Sequence, residues 1–420
     1  MNIWILNHYA TAMYFDGLGR HQSFGKYLIQ KGHKVKIFCA STIHNSEETI
    51  ELSGKLSLEK EGKDGVRYVF VKTRKYNGNG YLRVRNMIDY YINVKKTLEY
   101  YQKKENKPDI ILASSVHPLT LVAGIKIAHR FKCPCVCEVR DLWPESIVAY
   151  TKYTDRNIAV KCLYVLEKWI YKRADSLIFT IEGGKDYIIE KHWADSIDMD
   201  KIYYINNGVD LDQFYHNLSV HQIKEDALEN KGQFKVVYAG AIRPANGVGF
   251  LIKSMGYLKD INVTLLIYGD GEQTEELKEY CRNHKIQNVS FRGKVGKEFI
   301  PYILSKSDLN ILNYQSGGLW KYGGSQNKLF EYLASGTPIL ANIKTGYDPI
   351  EKFHCGIAEN FKNEHEYSNA ILSFINMEKK QYERICDNAK QTAKMYDFLV
   401  LTERLEKVLM DTIASNALKG

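Results

Sequence analysis

Two successive series of short apolar runs dominate this sequence, each run ended by glycine or a polar turn and followed by a helical pattern. Strands that alternate with helices in this way build parallel sheets covered on both faces. In the first series, residues 2–8, 34–40, 66–72, 109–114, 135–139, 176–181 and 201–205 read as strands, and a helical pattern over 21–31 stops at Gly32. The last of these runs enters a strong turn at Asn206-Asn207-Gly208-Val209-Asp210, and 215–233 reads as polar connecting material. A second series follows at 235–239, 263–268, 289–292, 308–313 and 338–341. The expectation is an α/β protein of two doubly wound Rossmann-like domains, 1–206 and 207–395. An amphipathic segment, 396–420, carries Phe398, Leu401, Leu405, Val408 and Leu409 on one face and is expected to cross back to the first domain.

Charge separates the two halves. Residues 1–205 hold 32 Lys/Arg against 23 Asp/Glu, which is the whole net charge of +9, whereas 206–420 are balanced. Within the first half, residues 66–107 hold 11 Lys/Arg against 3 Asp/Glu, interleaved with Tyr68, Phe70, Tyr76, Tyr81, Tyr90, Tyr91, Tyr100 and Tyr101. Three readings compete for this segment: a solvated helix packed on its own domain, a surface for an anionic membrane, and a nucleic-acid site. No nucleic-acid-binding motif accompanies the charge, so no nucleic acid is expected as partner. The N-terminus lacks a basic lead and long apolar core, and no run of about 18–20 residues is apolar enough to span a bilayer. The expected location is cytoplasmic, peripheral on the inner face of the cell membrane. Cys133, Cys135 and Cys137 alternate as on a strand, with no nearby His or Cys pair to complete a tetrahedral metal set, and read as buried thiols.

Ligands of open α/β sheets bind where glycine-rich loops leave the strands. The first such loop is Gly17-Leu18-Gly19-Arg20. Gln22 stands where a dinucleotide fingerprint needs glycine, and the second strand ends Cys39-Ala40-Ser41 without an acid for a ribose, which argues against NAD. A backbone loop near a phosphate or sugar and a plain tight turn both remain. In the second series Gly240 lets backbone N–H groups approach an anion, and Arg243 adds a bidentate donor. The richest loop runs from Gly323 and Gly324 through Ser325 and Gln326 into a helix with Lys328 in its first turn and Glu331 one turn on. A lysine there opposes the helix dipole, which a bound diphosphate would explain, and Glu331 could accept from ribose hydroxyls. The alternative is a capped surface helix. Strand-end loops at Gly269 and Arg292-Gly293 could frame a base. In the first series His117 and Asp141 end neighbouring strands; they could hold sugar hydroxyls or serve structure alone.

The motifs GHKVKIF, EVRDLWPE, YKRADSLIFT, INNGVD, VVYAGAIR, LLIYGDG, VSFRGKV and NKLFEYLASGTPIL, in that order, resemble the family-four retaining glycosyltransferases of GT-B architecture. The likeness is to the branch that adds N-acetylated hexosamines or deoxyhexosamines in bacterial surface-polysaccharide assembly. It implies two domains facing across a cleft, a UDP-sugar donor as substrate with no separate cofactor, and a lipid-linked polyprenyl-diphosphate glycan as acceptor. It also implies roles. Arg243 and Lys328 hold the diphosphate and Glu331 the ribose, with Asn327 and Leu329 beside them. Gly269, Arg292 and Gly293 frame the base, Gly17 and Gly19 close over the phosphates, and His117 approaches the donor sugar. Two positions depart from the family pattern: Gly323 stands where a sugar-contacting glutamate is usual, and no lysine follows Arg243 in Pro244-Ala245-Asn246-Gly247. No metal is expected, because no DxD-like carboxylate pair accompanies these loops. A UDP-sugar 2-epimerase of similar two-domain fold is the alternative.

Overall fold

The computed structural model describes residues 1–418 except 45, 47, 79 and 116, and omits the side chain of Tyr150. Val116, which the sequence places beside His117, therefore lies outside the described residues. The chain divides into two compact units, Met1–Asn206 with Phe398–Gly420, and Asn207–Asp397. Each is a Rossmann-like α/β unit around a parallel sheet.

The first unit contains β1 (Asn2–Leu6), β2 (Lys34–Ala40), β3 (Ser57–Glu61), β4 (Arg67–Val71), β5 (Ile110–Ser114), β6 (Cys135–Val139), β7 (Ser176–Phe179) and β8 (Ile202–Tyr204). Their order is β3-β4-β2-β1-β5-β6-β7-β8, parallel throughout except for β3, which runs antiparallel to β4 at the edge. Central strands are buried on both faces, so they read as continuous apolar runs such as Ile3-Trp4-Ile5-Leu6. The order reverses between β1 and β5. The helix Phe398–Ala417 belongs to this unit: Phe398, Leu401, Leu405, Val408 and Leu409 join the core of β1 and β2 side chains, and Phe398 meets Phe24 of the helix Arg20–Gln30 edge to face at 5.4 Å. The unit boundary follows Asp397, not residue 395. Val209 N–H donates to Tyr396 O at 3.0 Å and Val209 bridges Asp397, which ties both residues to the second unit.

The second unit contains β9 (Phe234–Ala239), β10 (Val263–Tyr268), β11 (Val289–Gly293), β12 (Leu309–Leu312), β13 (Ile339–Ala341) and β14 (Gly356–Ala358). All are parallel, in the order β11-β10-β9-β12-β13-β14, with the reversal between β9 and β12. Two apolar clusters cover the two faces of this sheet. Where the sequence suggests only connecting material, a helix forms over Leu211–Val220, capped by the Asp210 carboxylate on the Gln213 N–H.

Candidate active site

A ligand of a doubly wound sheet is expected at the carboxyl edge, beside the reversal point. In the second unit the loops leaving β9 and β12 flank that point. The β9 loop turns at Gly240 (φ +155°), whose N–H donates to Tyr268 O at 2.9 Å. A Cβ on Gly240 would lie 2.7 Å from Lys328 Nζ, and one on Gly269 would lie 1.9 Å from Gly240 O. Fixed backbone excludes a side chain at Gly269; at Gly240 the near atom is the movable end of Lys328, and the positive φ is what favours glycine.

The helix Asn327–Ser335 begins at Gln326 without a side-chain cap and without an acid in its first turn. Lys328 reaches back over Tyr238 of β9, with Nζ 4.5 Å from the ring centroid and 3.2 Å from the hydroxyl. That hydroxyl donates to Ala241 O at 2.7 Å, which fixes the platform. Burial lowers the Lys328 ammonium to about 8 against a partial compensation from Glu331. Burial raises the Glu331 carboxyl to about 6, opposed by Lys297 and Lys328. Arg243 is exposed at the end of the β9 loop. An uncapped helix N-terminus, a half-buried ammonium and an exposed guanidinium thus gather at one edge. Such a constellation suits an anion with several charged oxygens.

Other expected contacts move. Leu329 is buried in the core, and its N–H already donates to Gln326 O at 3.1 Å, so neither side chain nor amide is available to a ligand. Helical spacing explains this, since Leu329, Phe330 and Leu333 share the inward face. Arg292 Nε donates to Glu225 Oε2 at 3.0 Å, and Glu225 also accepts from Tyr268 at 2.7 Å. The supposed linker thus holds the guanidinium expected to frame a base. The Gly269 N–H is taken by Gly293 O at 2.8 Å. Asn327 Oδ1 accepts from Asn207 Nδ2 at 2.6 Å, and Asn207 N–H donates to Ser325 Oγ at 3.3 Å.

In the first unit, Gly17 and Gly19 do not follow β1 directly. A short helix, Thr11–Asp16, intervenes; Gly17 ends it and Gly19 precedes the helix Arg20–Gln30. His117 is fully buried at the start of the helix Pro118–Phe131 and meets His8; the Asp141 side chain is solvent-accessible, yet the protein around it raises its carboxyl, with Arg140 and Arg83 opposing. Arg83 bears on both His117 and Asp141, so the two strand-end residues share a neighbouring cation.

The sequence reading also missed a buried polar cluster at this edge. Arg20 Nε donates to Glu138 Oε2 at 2.8 Å, while its terminal nitrogens reach Asn206 O (2.6 Å) and Ile205 O (2.9 Å). Ser114 Oγ donates to Glu138 Oε1 at 2.7 Å, and His21 Nε2 lies 3.1 Å from the same oxygen. Burial alone would raise the Glu138 carboxyl; Arg20 and His21 outweigh it and hold the group well below the usual carboxylate range.

Comparison with known proteins decides the family. Residues 16–213 match the profile described as Glycosyltransferase Family 4, and residues 219–392 match Glycosyl transferases group 1. The chain is a family-4, group-1 glycosyltransferase. An uncharacterized glycosyltransferase of Methanocaldococcus jannaschii is 28% identical over 186 residues, 44% of each chain, so this chain spans under half of that relative. The UDP-Gal:alpha-D-GlcNAc-diphosphoundecaprenol alpha-1,3-galactosyltransferase of Escherichia coli is 25% identical over 320 residues, 74% of each. Among solved structures, sucrose-phosphate synthase from Thermosynechococcus elongatus matches with a TM-score of 0.72 at 13% identity, covering 99% of this chain and 100% of that one. Anabaena HepE in complex with UDP and glucose matches with 0.66 at 14%, covering 98% and 99%. At those identities the likeness is one of fold, the GT-B glycosyltransferase fold.

The glycosyltransferase has residues at its second-unit edge that motif reading passed over. Tyr238 lies inside an apolar strand run, where only its hydroxyl hints at the platform for Lys328. Gln326 Oε1 is buried without a hydrogen-bond partner among the described residues, beside the uncapped helix start.

Proposed function

We propose that this glycosyltransferase moves a sugar, an N-acetylated hexosamine or deoxyhexosamine, from a UDP-sugar to a lipid-linked polyprenyl-diphosphate glycan, with retention at the anomeric carbon. The observation that carries this reading is Lys328, a half-buried ammonium in the first turn of an uncapped helix, laid over Tyr238 beside Gly240, with Glu331 one turn on. The E. coli relative's name supports a UDP-sugar donor and a diphosphoundecaprenol acceptor, and HepE binds UDP. The diphosphate sits on Lys328, Arg243 and the amides of Asn327 and Lys328 at the helix start, and Glu331 accepts from the ribose. Gly323, lacking a carboxylate, leaves the donor sugar to be recognised elsewhere. Charge develops on the departing diphosphate, so cations already in place stabilise the transition state without reorganising. The β-phosphate oxygen takes the acceptor proton as the C1–O bond to it breaks and the new C1–O bond forms on the same face. Full turnover in EDTA is expected, since cationic side chains do the work of a metal here; loss of turnover restored by a divalent cation contradicts this.

The two perturbed groups set a pH window. Glu331 accepts from the ribose when ionised, above about 6, and Lys328 holds the diphosphate when protonated, below about 8. Donor kcat/KM, which reports the free enzyme, is expected to follow a bell between those limbs. Glu331→Gln removes the acid limb and Lys328→Arg moves the alkaline limb out of range. A flat profile from pH 5 to 9, as about the span tested, contradicts the assignment. Calorimetry with UDP alone supplies the binding check: tight binding by the native chain, weakened in Glu331→Gln.

The basic segment contributes to acceptor access. Of its aromatics, Tyr68, Phe70, Tyr90 and Tyr101 are core residues, so the interleaving on paper overstates the surface. The helix Tyr81–Lys104 has two apolar faces. Met87, Tyr90, Val94 and Leu98 face inward, while Tyr81 (70% exposed), Val84 (48%), Ile88 (43%) and Ile92 (43%) form an outward stripe. Arg85, Lys95, Lys96 and Lys103 lie on the same side by helical spacing. An exposed apolar stripe lined with cations fits the surface of an anionic leaflet, at about 1 kcal/mol per Lys/Arg. No helix among the described residues is long and apolar enough to cross a membrane. Flotation with anionic vesicles is expected, and Lys95→Glu with Lys96→Glu and Ile88→Glu should weaken it about 10²-fold or more. Equal flotation of the triple variant contradicts the surface.

A further inference from the structure

The first unit holds a cavity of about 870 Å³ at the amino ends of β6 and β7, the sheet edge opposite the one that carries the transferase loops. Its size is within the span of about 300–1,000 Å³ usual for small-molecule sites. The helices Pro118–Phe131 and Ile158–Arg173 both end there and line it. The floor is apolar: Ile125, Ala128, Cys133 and Cys135 are buried, and Trp169 forms a half-buried wall. Lys126, His129, Lys132 and Arg173 stand round that floor, all four exposed.

Cations at a helix C-terminus are ordinarily explained by the dipole and the last open carbonyls. Here those carbonyls have other partners. Lys107 Nζ donates to Phe131 O at 3.5 Å, and Lys201 Nζ donates to Lys172 O at 3.1 Å and to Ala174 O at 2.6 Å. The first helix is also closed by its own backbone, Cys133 N–H donating to Ala128 O at 3.1 Å. Lys132 and Arg173 are therefore surplus to capping. Asp175 also lines the cavity, but its carboxylate accepts from Cys135 N–H at 2.8 Å and from Asn416 Nδ2 at 3.3 Å. Neither Lys132 nor Arg173 makes an ion pair among the described residues. The cavity thus pairs an apolar floor with uncompensated positive charge.

The helix Pro118–Phe131 lies packed between Tyr81–Lys104 and Ile158–Arg173. On the cavity rim Lys126 Nζ donates to the Tyr91 hydroxyl at 3.2 Å, which joins the cavity to the first of these neighbours. The second carries an outward stripe of its own, Ile158 (80% exposed), Cys162 and Val165 (70%), which at helical spacing runs into Trp169. We infer that the cavity binds one anionic phospholipid, its phosphate held by Lys132 and Arg173 and an acyl chain laid along Ile125, Ala128 and Trp169. Exposed apolar side chains on both flanking helices suit the bilayer that would supply it. A second copy of this chain fits worse, since it would set the same cations against these. The inference rests on the membrane surface proposed above for supply of the lipid; a monomeric lipid reaches the site without that surface.

The test titrates a short-chain phosphatidylglycerol with a brominated chain, kept below its micelle concentration, into the full-length protein and follows tryptophan fluorescence. Saturable quenching is expected, with one lipid per chain by native mass spectrometry. Trp169→Phe should lose the quenching and keep the bound lipid. Lys132→Gln with Arg173→Gln changes two exposed positions, so the variant should melt as the native chain does, yet bind the lipid about 30-fold more weakly, about 5-fold for each charge. Undiminished binding by that variant, equal binding of the phosphatidylcholine analogue, or displacement of the lipid by an equal concentration of glycerol phosphate overturns the inference. A dimer in solution that shields Trp169 overturns it in favour of a second copy. A chain that binds this lipid but does not float with anionic vesicles overturns the membrane surface and leaves the site standing; flotation without quenching through Trp169 does the reverse.

Discussion

Lys328→Ala is expected to lower sugar transfer about 10²–10³-fold, the range found when one preorganised donor is removed from a developing anion. The loss should fall on turnover and on UDP binding while the fold is kept. Burial holds the Lys328 ammonium below its ordinary value, so at pH 7 its charge works against folding, and the alanine variant should melt no earlier than the native chain. That sign separates a functional loss from an unfolded protein. Arg243→Ala is expected to act in the same direction with a smaller fall, since the exposed guanidinium is screened by solvent. Near-normal turnover in both variants contradicts the diphosphate assignment.

Arg20→Ala is expected to destabilise the first unit by about 3–5 kcal/mol, because it leaves the Glu138 carboxylate buried beside a neutral His21. Burial and a donor facing its Nδ1 keep His21 neutral. Asn7 Oδ1 accepts the Tyr9 N–H at 3.1 Å, so Asn7 Nδ2 faces His21 Nδ1 at 2.8 Å as donor, and the ring's hydrogen is on Nε2, towards Glu138. Arg20 also satisfies the carbonyls of Ile205 and Asn206, so the chain leaving β8 loses its tether. Two units need not unfold together, so the measurement is native-state hydrogen exchange at β5 through β8. Protection there should drop while β9–β14 amides are unchanged. Arg20→Met with Glu138→Leu, which removes both charges, should recover most of the loss. Unchanged protection in Arg20→Ala would show that the cluster contributes nothing to stability.

Much of this architecture is legible in the chain because parallel strands buried on both faces are written as unbroken apolar runs. Two strands escape that rule. β3 reads Ser-Leu-Glu-Lys-Glu and is half-exposed at a sheet edge, and β14 has only three residues. Lys328 and Glu331 are legible from a local signal, a cation in the first turn of a helix that follows glycines. Their setting is not, because Tyr238 lies 90 residues away and becomes a partner only when β9 is laid beside that helix. Arg292 shows the converse. Its position at a strand end suggests a ligand contact, but Glu225, 67 residues earlier, claims it. The Arg20–Glu138 pair spans 118 residues and leaves no local pattern at all. Leu329 shares the apolar helical spacing of Phe330 and Leu333, and that periodicity marks it as core.

The central claim is transfer from a UDP-sugar, and it is tested most directly by offering a panel of UDP-sugars with and without a polyprenyl-diphosphate glycan and following UDP and the lipid-linked product. The account predicts slow UDP release from one donor alone, strong acceleration by the acceptor, and a lengthened glycan with retained anomeric configuration. Interconversion of UDP-sugars without release of UDP, the behaviour of an epimerase, would contradict it.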